Sequence, residues 1–585
     1  MIVPTPTINA TLPHVACRFE TLTEGLDYAA RGETGYNYYS VRGDLVLALP
    51  YRELRERSLS VARRLAGLGL PRGSRVGLVA DTSPSFHSFF FGCQYAGLIP
   101  VPLPLPVNLG GRDSYVRQLR QMLESAQAAV AVAPAELSEM LHEAADGLVP
   151  HVGAPDDFLA LPESGEIAPS GKDDPCYIQY SSGSTSAPKG VLVTQRSALA
   201  NTGSISRDGL MLRPGDRCIS WLPLYHDMGL VGFCFTPMLN QITIDYIATM
   251  DFARRPLAWL QLIARNRGTV AFSPSFGYDL CARRAANGAA AGLDLSCWRV
   301  AGIGGDMVRA DVLDRFAETF APNGFRRSTF VPSYGLAEST LAVSFASLSD
   351  EFEVDTIDRE SLAATGEAVP VGPEAGELGR TFVVCGSIMP GHELRIVDEL
   401  GNNLGNREVG RVLIRGPSLM SGYFRNREAT EAVLSPDGWL DTGDLGYTVN
   451  GQLVITGRSK DLIICNGRNI WPQDIEWAVE RLPGLRQGDA AAFSIVDEET
   501  DEESVIVVVQ CRLSDPAARD RLRRQVHSMV RDSVGVESKI VLAPPHSLPH
   551  TSSGKLSRAG TRKNYLAGFY TRPYREPGLK LAAEG

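Results

Sequence analysis

Three absences narrow the classes of protein that this sequence can encode. None of its ten cysteines forms a Cys-x-x-Cys pair, so neither a zinc ribbon nor a disulfide framework is indicated. Basic charge is not in excess, because the formal net charge is −10 at pH 7, which argues against a general nucleic-acid binder. Disorder, collagen and coiled coil fail as whole-chain descriptions, since 44% of the 585 residues are apolar and 21% are charged. We therefore expect a globular cytoplasmic protein with reduced thiols and about three or four domains or subdomains.

A membrane span is also not expected, although one stretch is long enough to suggest it. Residues 82–111 contain no Lys, Arg, Asp or Glu. The stretch carries prolines at positions 84, 100, 102, 104 and 106, and a spanning helix needs the backbone donors that proline lacks. We predict a buried helix near Phe86–Gly97 followed by an extended proline-rich strand. Residues 1–17 have neither a basic start nor a long apolar run, so a secretory signal is not expected.

The order of apolar segments predicts an α/β protein with a change of character near its C-terminus. An amphipathic helix at 52–68 and an apolar strand at 75–80 begin an alternation of helices and strands. After a polar linker at 161–174 the alternation resumes. Short β-rich runs separated by glycine turns at 377–457 predict a small β-barrel-like subdomain, and the pattern after residue 460 is mixed α+β.

The strongest single motif is the run Tyr180-Ser-Ser-Gly-Ser-Thr-Ser-Ala-Pro-Lys-Gly190, which lies between two strand-like segments. Hydroxyl groups, glycine backbone N–H groups and one lysine suit a polyphosphate. The run is not a Walker A loop, because Pro188 and Gly190 flank Lys189 where that motif needs Gly and Ser or Thr. A second glycine cluster, Gly302-Ile-Gly-Gly-Asp306, follows a predicted strand at 298–301, but Met307 breaks the dinucleotide-binding pattern.

The loop and six later motifs resemble those of adenylate-forming enzymes: acyl-CoA synthetases, nonribosomal adenylation domains and luciferases. The six occur in the order that the family has, and together with the loop they extend the resemblance over nearly the whole chain. They are Trp221–Gly229, Ser333–Glu338, Trp439–Asp444, Gly457–Asp461, Asn466–Arg468 and Leu548–Arg558. One departure is Ser186, where many relatives have glycine.

The resemblance implies which residues bind ATP. Loop hydroxyl and backbone groups would hold the phosphates, Tyr334 would stack on adenine, and Asp444 would accept hydrogen bonds from the ribose hydroxyls. Arg458 would join Asp444 at a hinge between domains, where Lys460 occupies the hinge position. The implied ATP- or AMP-binding set is Ser181, Ser182, Gly183, Ser184, Thr185, Lys189, Gly304, Gly305, Asp306, Ser333, Tyr334, Gly335, Asp444 and Arg458.

The resemblance also implies the catalytic and metal-binding residues. A carboxylate must attack the α-phosphorus of ATP, and two unit charges about 3.5 Å apart at an effective dielectric of about 20 repel by about 5 kcal/mol. Lys555 is the implied catalytic cation that offsets this repulsion. His226 is the second implied catalytic residue, near the acyl carboxylate, with a purely structural histidine as the alternative. Glu338 and Thr185 would hold Mg²⁺, which prefers oxygen ligands.

Two stretches favour the fatty acyl-AMP ligase branch of the family. Leu98–Pro106, followed by Gly111–Tyr115, is similar to the N-terminal region of that branch. Residues 347–377 stand where those ligases carry an insertion that is thought to restrain the C-terminal domain and to disfavour coenzyme A. A long polar loop is the alternative interpretation of this stretch.

The resemblance therefore implies a two-domain enzyme. Residues 1–457 would form the large adenylation domain, with two α/β subdomains, the insertion and the β-rich subdomain at 377–457. Residues 458–461 would be the hinge and 462–585 a mobile lid. We expect acyl-adenylate formation from ATP and a fatty acid, then transfer to the phosphopantetheine thiol of a separate acyl carrier protein. The alternatives are a fatty acyl-CoA synthetase and, more remotely, a non-catalytic nucleotide-binding protein of this fold.

The C-terminal part of the chain is basic although the whole is acidic. From Cys511 to Gly585 there are 14 Lys and Arg against 6 Asp and Glu, a balance of +8. Such a region is either ordinary solvated surface or a docking face for an acidic partner such as a carrier protein.

Overall fold

The computed structural model divides the chain into two compact units. It describes residues 3–10, 12–106, 111–163, 165–181, 188–465, 468–496, 503–551 and 555–570. The larger unit contains residues 1–362 and 366–457, and the smaller one contains 363–365 and 458–585.

A large mixed sheet forms the centre of the larger unit. Its central strands are parallel, and antiparallel strands close both edges. In spatial order the strands are Ser387–Ile388, Ala342–Phe345, Phe330–Gly335, Val300–Ile303, Val270–Ser273, Arg217–Ser220, Thr243–Ile247, Gly35–Tyr39 and Leu45–Pro50. Parallel strands joined through helices are the arrangement that the alternating pattern predicted.

A second, wholly parallel sheet belongs to the N-terminal part. Its strands, in spatial order, are Ile99–Leu103, Arg75–Val79, Ala128–Val132 and His151–Gly153. The helix Pro84–Tyr95 precedes the proline-rich strand, and its first turn is capped by Ser83, whose hydroxyl accepts a hydrogen bond from the N–H of Phe86. The predicted buried helix and proline-rich strand are confirmed. Across the part of the chain that the structure describes, no helix is both long and apolar enough to cross a membrane.

Antiparallel strands make up the other sheets of the larger unit. A hairpin of Pro175–Ser181 and Lys189–Thr194 extends to the short strand Gly422–Tyr423. The β-rich region folds as a sheet of Glu393–Val397, Gly410–Arg415, Leu440–Val449 and Gln452–Arg458.

The segment at 347–377 is folded rather than a polar loop. It contains the strand Val354–Asp358 and the helix Arg359–Thr365. The strand pairs antiparallel with Gly379–Val383, the first strand of the predicted β-rich region. Ile357 and Leu362 are fully buried. The alternative interpretation as a long polar loop is therefore wrong for residues 354–365.

Helices cover the sheets of the larger unit, and their apolar faces fill its core. The α-helices of this unit besides those already named are Leu22–Ala29, Tyr51–Ala66, Arg112–Ala126, Ser138–Ala145, Pro155–Leu159, Gln195–Ser204, Thr236–Leu239, Thr249–Arg254, Leu257–Asn266, Ser275–Arg284, Ala310–Phe320 and Arg427–Glu431. Shorter 3₁₀ or π turns are Ala135–Leu137, Ile205–Gly209, Met228–Phe235, Ala286–Gly288, Ala321–Asn323, Arg327–Thr329, Ala337–Ser339 and Pro373–Leu378.

The smaller unit has its own α+β core. Its main sheet has the strands Ala490–Val496, Glu503–Gln510 and Ser538–Ala543, and a separate hairpin pairs Ile463–Cys465 with Arg468–Ile470. The helices are Pro472–Glu480, Pro516–Val534 and Arg558–Leu566, with a 3₁₀ turn at Ser459–Asp461.

All ten cysteines lie within the described residues, and all are free thiols. Each is buried except Cys297, which is half-buried. Burial raises the pKa of the Cys17 thiol to about 11 and that of Cys385 to about 12. Burial raises the pKa of the Cys93, Cys176, Cys218, Cys234, Cys281 and Cys297 thiols as well. The expectation of reduced thiols agrees with this arrangement.

Candidate active site

Connections at one edge of the large sheet form the candidate site. Its neighbouring parallel strands, ending at Ser220, Ser273, Ile303 and Gly335, have their carboxyl ends at the same edge. In open α/β sheets, ligands bind at this edge. The last residues of these strands and the segments that follow them hold the predicted residues of three motifs.

The glycine turn Gly304–Gly305 is pressed against the next strand. A Cβ atom on Gly304 would lie 2.7 Å from the hydroxyl of Ser333 and 2.8 Å from its carbonyl oxygen. Gly305 has φ +82°, a conformation that favours glycine. Asp306, the next residue, accepts a hydrogen bond from the hydroxyl of Ser275 at 3.1 Å. The turn brings backbone close to Ser333, and the part of Gly304, Gly305 and Asp306 in binding ATP or AMP stays a prediction.

The strand before this turn differs from the prediction. It covers Val300–Ile303 rather than 298–301, so Gly302 lies inside the strand and not in the turn. A Cβ atom on Gly302 would lie 1.9 Å from the ring of Phe272, and the carbonyl of Gly302 accepts the hydroxyl of Tyr278 at 2.8 Å. Glycine is needed here because an aromatic ring covers the strand, which the local sequence does not reveal.

Tyr334 and Asp444 are in direct contact. The Tyr334 hydroxyl donates to the Asp444 carboxylate at 2.6 Å, and Asp444 is only 8% exposed. The hydroxyl of Thr442 accepts the Asp444 N–H at 3.1 Å, which fixes the backbone that carries the carboxylate. A Cβ atom on Gly335 would lie 1.9 Å from the carbonyl oxygen of Leu341, so the strand end also needs glycine. The structure thus joins residues from two motifs separated by more than 100 positions.

The predicted phosphate loop connects two strands, as expected, and the structure shows that these strands are antiparallel. Ser181 ends its first strand and Lys189 begins its second, and the two residues are paired. The side chain of Ser181 and residues 182–187 lie outside what the structure describes. The predictions for Ser182, Gly183, Ser184 and Thr185 therefore stay predictions.

One side chain that the motifs do not contain contacts two of the predicted residues. The Tyr423 hydroxyl donates to Oε1 of Glu338 at 2.9 Å, and Nζ of Lys189 lies 4.9 Å from the centroid of the Tyr423 ring. A carboxylate is a suitable oxygen ligand for Mg²⁺, and an ammonium group is a suitable partner for a phosphate. We missed Tyr423 because it lies in a two-residue strand with no periodicity.

His226 is held by its neighbour in sequence. Its Nδ1 lies 2.5 Å from Oδ1 of Asp227, and its side chain is 18% exposed. The N–H of Met228 donates to the Asp227 carboxylate at 2.8 Å, at the start of the π-helical turn Met228–Phe235. This pairing orients the ring, which both the structural and the catalytic interpretation of His226 require.

Lys555 is hydrogen-bonded through its backbone to Thr551 in the smaller unit. The N–H of Thr551 donates to the carbonyl oxygen of Lys555 at 2.7 Å, and the Lys555 N–H donates to the Thr551 hydroxyl at 3.2 Å. The neighbouring residues His550 and Leu556 also form a bridge. The backbones on the two sides of residues 552–554 are thus held together. Arg458 and Lys460 are both exposed in this unit.

Arg558, three residues after Lys555, binds two carboxylates of the smaller unit. It binds both oxygens of Glu476, at 2.8 and 2.6 Å, and Asp461 at 2.7 Å. Burial opposes the charge of this guanidinium, but the two carboxylates outweigh it and raise the pKa of Arg558. Its side chain is 17% exposed. Arg558 therefore connects the predicted hinge residue Asp461 to the segment that follows Lys555.

Comparisons with known proteins match most of the chain to one family and to two relatives. The profile of a family described as AMP-binding enzyme matches residues 42–424. A provisionally named acyl-CoA synthetase of Caulobacter vibrioides is 50% identical over 557 residues, covering 94% of this chain and 96% of that protein. The medium-chain-fatty-acid–[acyl-carrier-protein] ligase JamA of Moorena producens is 33% identical over 573 residues, covering 94% of this chain and 96% of its own.

A solved structure also matches nearly the whole chain. It comes from a study of fatty acyl-adenylate ligases of E. coli and L. pneumophila and has a TM-score of 0.91 at 46% identity. The match covers 96% of this chain and 100% of that one.

Proposed function

The chain belongs to the AMP-binding enzyme family, and from that premise we propose that it activates a fatty acid as acyl-adenylate and passes the acyl group to an acyl carrier protein. It has the α/β fold of acyl-AMP ligases and is an adenylate-forming fatty acid ligase. The acyl acceptor and the roles of individual residues form the proposed part.

In the first half-reaction, an oxygen of the fatty acid carboxylate attacks the α-phosphorus of ATP. A new P–O bond forms, the bond to the bridging oxygen breaks, and pyrophosphate leaves with the electron pair. Both reactants are anionic, so cations must face the reacting oxygens. Lys555 is proposed for the carboxylate and α-phosphate, and Lys189 for the other phosphates.

The nucleoside would be held by Tyr334 and Asp444. The 2.6 Å bond between them supports this role, because it fixes a carboxylate that accepts the two ribose hydroxyls. The ring of Tyr334 is held by the same bond and is available as a face for adenine. Arg458, in the smaller unit, would contribute to the ribose site when that unit closes.

Glu338 fits a magnesium ion by its chemistry, as a carboxylate that accepts a hydrogen bond from Tyr423, whose ring also contacts Lys189. Together with Thr185 it would hold Mg²⁺. When bound, the ion would offset negative charge on the phosphates.

The folded insertion is the observation that carries the choice of acceptor. Asp355, on its strand, accepts two hydrogen bonds from Arg407 and one from the hydroxyl of Tyr447. The strand also pairs along its whole length with Gly379–Val383. We take this fixed element to be the insertion to which the resemblance to acyl-AMP ligases assigns the restraint on the C-terminal domain and the disfavouring of coenzyme A. In the second half-reaction the carrier's thiol attacks the acyl carbon and AMP leaves.

The test is a comparison of acyl acceptors with the purified enzyme. We expect acyl-AMP to accumulate from ATP and mixed fatty acids with coenzyme A present, and a holo-carrier to be acylated, as read by mass spectrometry. Rapid acyl-CoA formation would instead support the synthetase alternative, which the name of the Caulobacter relative favours. If neither pyrophosphate nor acyl-AMP forms, the result would favour the non-catalytic alternative.

A further inference from the structure

We propose that Tyr423 is a positioning residue that sets the Glu338 carboxylate and the Lys189 ammonium at fixed places for the phosphates of ATP. The inference rests on the proposed function, because it takes Glu338 to hold Mg²⁺ and Lys189 to face phosphate. Tyr423 is 8% exposed, so its ring is packed in place rather than lying on the surface.

The hydroxyl of Tyr423 orients the carboxylate. The Glu338 carboxylate can only accept, so the phenol is the donor of this 2.9 Å hydrogen bond. A carboxylate has two oxygens with about four acceptor positions, so Glu338 can accept the phenol and hold a cation at the same time.

The ring of Tyr423 restrains the lysine. An ammonium group within about 6 Å of an aromatic centroid is attracted to the face of the ring. Lysine has a flexible four-carbon stem, so a contact of 4.9 Å limits the positions that Nζ of Lys189 occupies. The hydroxyl of Tyr423 thus contacts Glu338, the proposed Mg²⁺ ligand, and its ring contacts Lys189, the residue proposed to bind phosphate.

The backbone of Tyr423 is itself fixed from three directions. Tyr423 pairs with Val191 in the strand that follows the phosphate loop. Its N–H donates to the hydroxyl of Thr430 at 2.9 Å. Three residues earlier, the N–H of Met420 donates to the carbonyl oxygen of Glu338 at 2.8 Å. The segment 420–423 is therefore hydrogen-bonded both to the strand that begins at Lys189 and to the backbone of Glu338.

The test separates the hydroxyl from the ring by measuring ATP binding without fatty acid. The dissociation constant of ATP for the full chain is measured by calorimetry with excess Mg²⁺ and with EDTA. For Tyr423→Phe we expect the gain in affinity from Mg²⁺ to fall by about tenfold, since a hydrogen bond to a charged group is lost. Binding in EDTA should stay within about twofold, because the ring remains. Tyr423→Leu should weaken binding in EDTA as well, by about threefold to tenfold.

Two controls make the outcome specific. Tyr447→Phe removes the same kind of bond, 2.6 Å to Asp355, elsewhere in the larger unit, and should change neither constant. A general loosening by Tyr423→Phe would weaken ATP binding equally with and without Mg²⁺, and this result, or wild-type behaviour, would overturn the inference.

Glu338→Gln separates this inference from the proposed function. If it abolishes the Mg²⁺ gain while Tyr423→Phe does not, only the role of Tyr423 is wrong. If it leaves the gain intact, the metal assignment of Glu338 is wrong and the inference fails with it.

Discussion

The contact between Arg407 and the insertion gives a quantitative test of acceptor choice. Arg407 binds both oxygens of Asp355, at 3.0 and 3.1 Å, and the carbonyl oxygen of Ala368 at 3.0 Å. The side chains of Arg407 and Asp355 are 27% and 12% exposed. Breaking a buried pair costs about 3–5 kcal/mol and an exposed one less than about 1 kcal/mol, so we expect about 2–3 kcal/mol for Arg407→Met.

This energy sets the largest change in selectivity that the variant can show. A hundredfold preference corresponds to about 2.7 kcal/mol, since each tenfold is about 1.4 kcal/mol. If the anchored insertion is what disfavours coenzyme A, Arg407→Met should raise the rate of acyl-CoA formation by about 30- to 100-fold. Acyl-AMP formation should stay close to wild type, and shortening residues 350–375 should act in the same direction.

The assay quantifies acyl-AMP and acyl-CoA together, by mass spectrometry, at fixed fatty acid, ATP and coenzyme A. The matched control is Arg299→Met. Arg299 also binds both oxygens of an aspartate, Asp216, and the carbonyl oxygen of Leu210, and its pair is similarly buried, at 21% and 2% exposure. The control should lower the thermal unfolding midpoint without changing the product. Our reasoning is refuted if Arg407→Met keeps wild-type products, or if both variants raise acyl-CoA equally.

Three further predictions concern catalysis, docking and packing. Lys555→Ala should reduce acyl-AMP formation by about 10³-fold, with ATP affinity nearly unchanged, and near-normal pyrophosphate release would contradict its assignment. If residues 511–585 dock an acidic carrier, raising salt should slow carrier acylation much more than adenylation, since exposed charges are screened within about 10 Å at 0.1 M; equal salt dependence of the two half-reactions would count against docking. Gly302→Ala should destabilise the larger unit by about 1–3 kcal/mol, because the added Cβ overlaps the ring of Phe272, and an unchanged unfolding midpoint would show that the ring moves aside at little cost.

Local sequence was sufficient where one segment determines its own structure. The prolines after residue 99 predicted an extended strand, because they remove the donors of a helix, and the structure has Ile99–Leu103 as a strand. The strands Pro175–Ser181 and Lys189–Thr194 were predictable, because two apolar segments flank a Ser- and Gly-rich run. Motif order also made Tyr334 and Asp444 candidate site residues, although their 2.6 Å contact depends on the fold.

Features that depend on distant partners could not be predicted in this way. The sequence placed Gly302 after a strand at 298–301, whereas it lies inside the strand Val300–Ile303, where the ring of Phe272 on the neighbouring strand leaves no room for a Cβ atom. The pairing of Val354–Asp358 with Gly379–Val383 depends on register between segments that we had assigned to separate elements. Tyr423 pairs with Val191, more than 200 residues earlier, so nothing in its own segment indicates its partners.

The burial of the cysteines has a consequence for an enzyme that makes a mixed anhydride. Acyl-adenylates react with thiolates, and a thiol with a pKa of about 11, such as that of Cys17, is ionised in only about one molecule in 10⁴ at pH 7. Buried thiols of this kind are therefore poor nucleophiles toward the acyl-adenylate that the enzyme forms. Their protection from acylation is a property of the core packing.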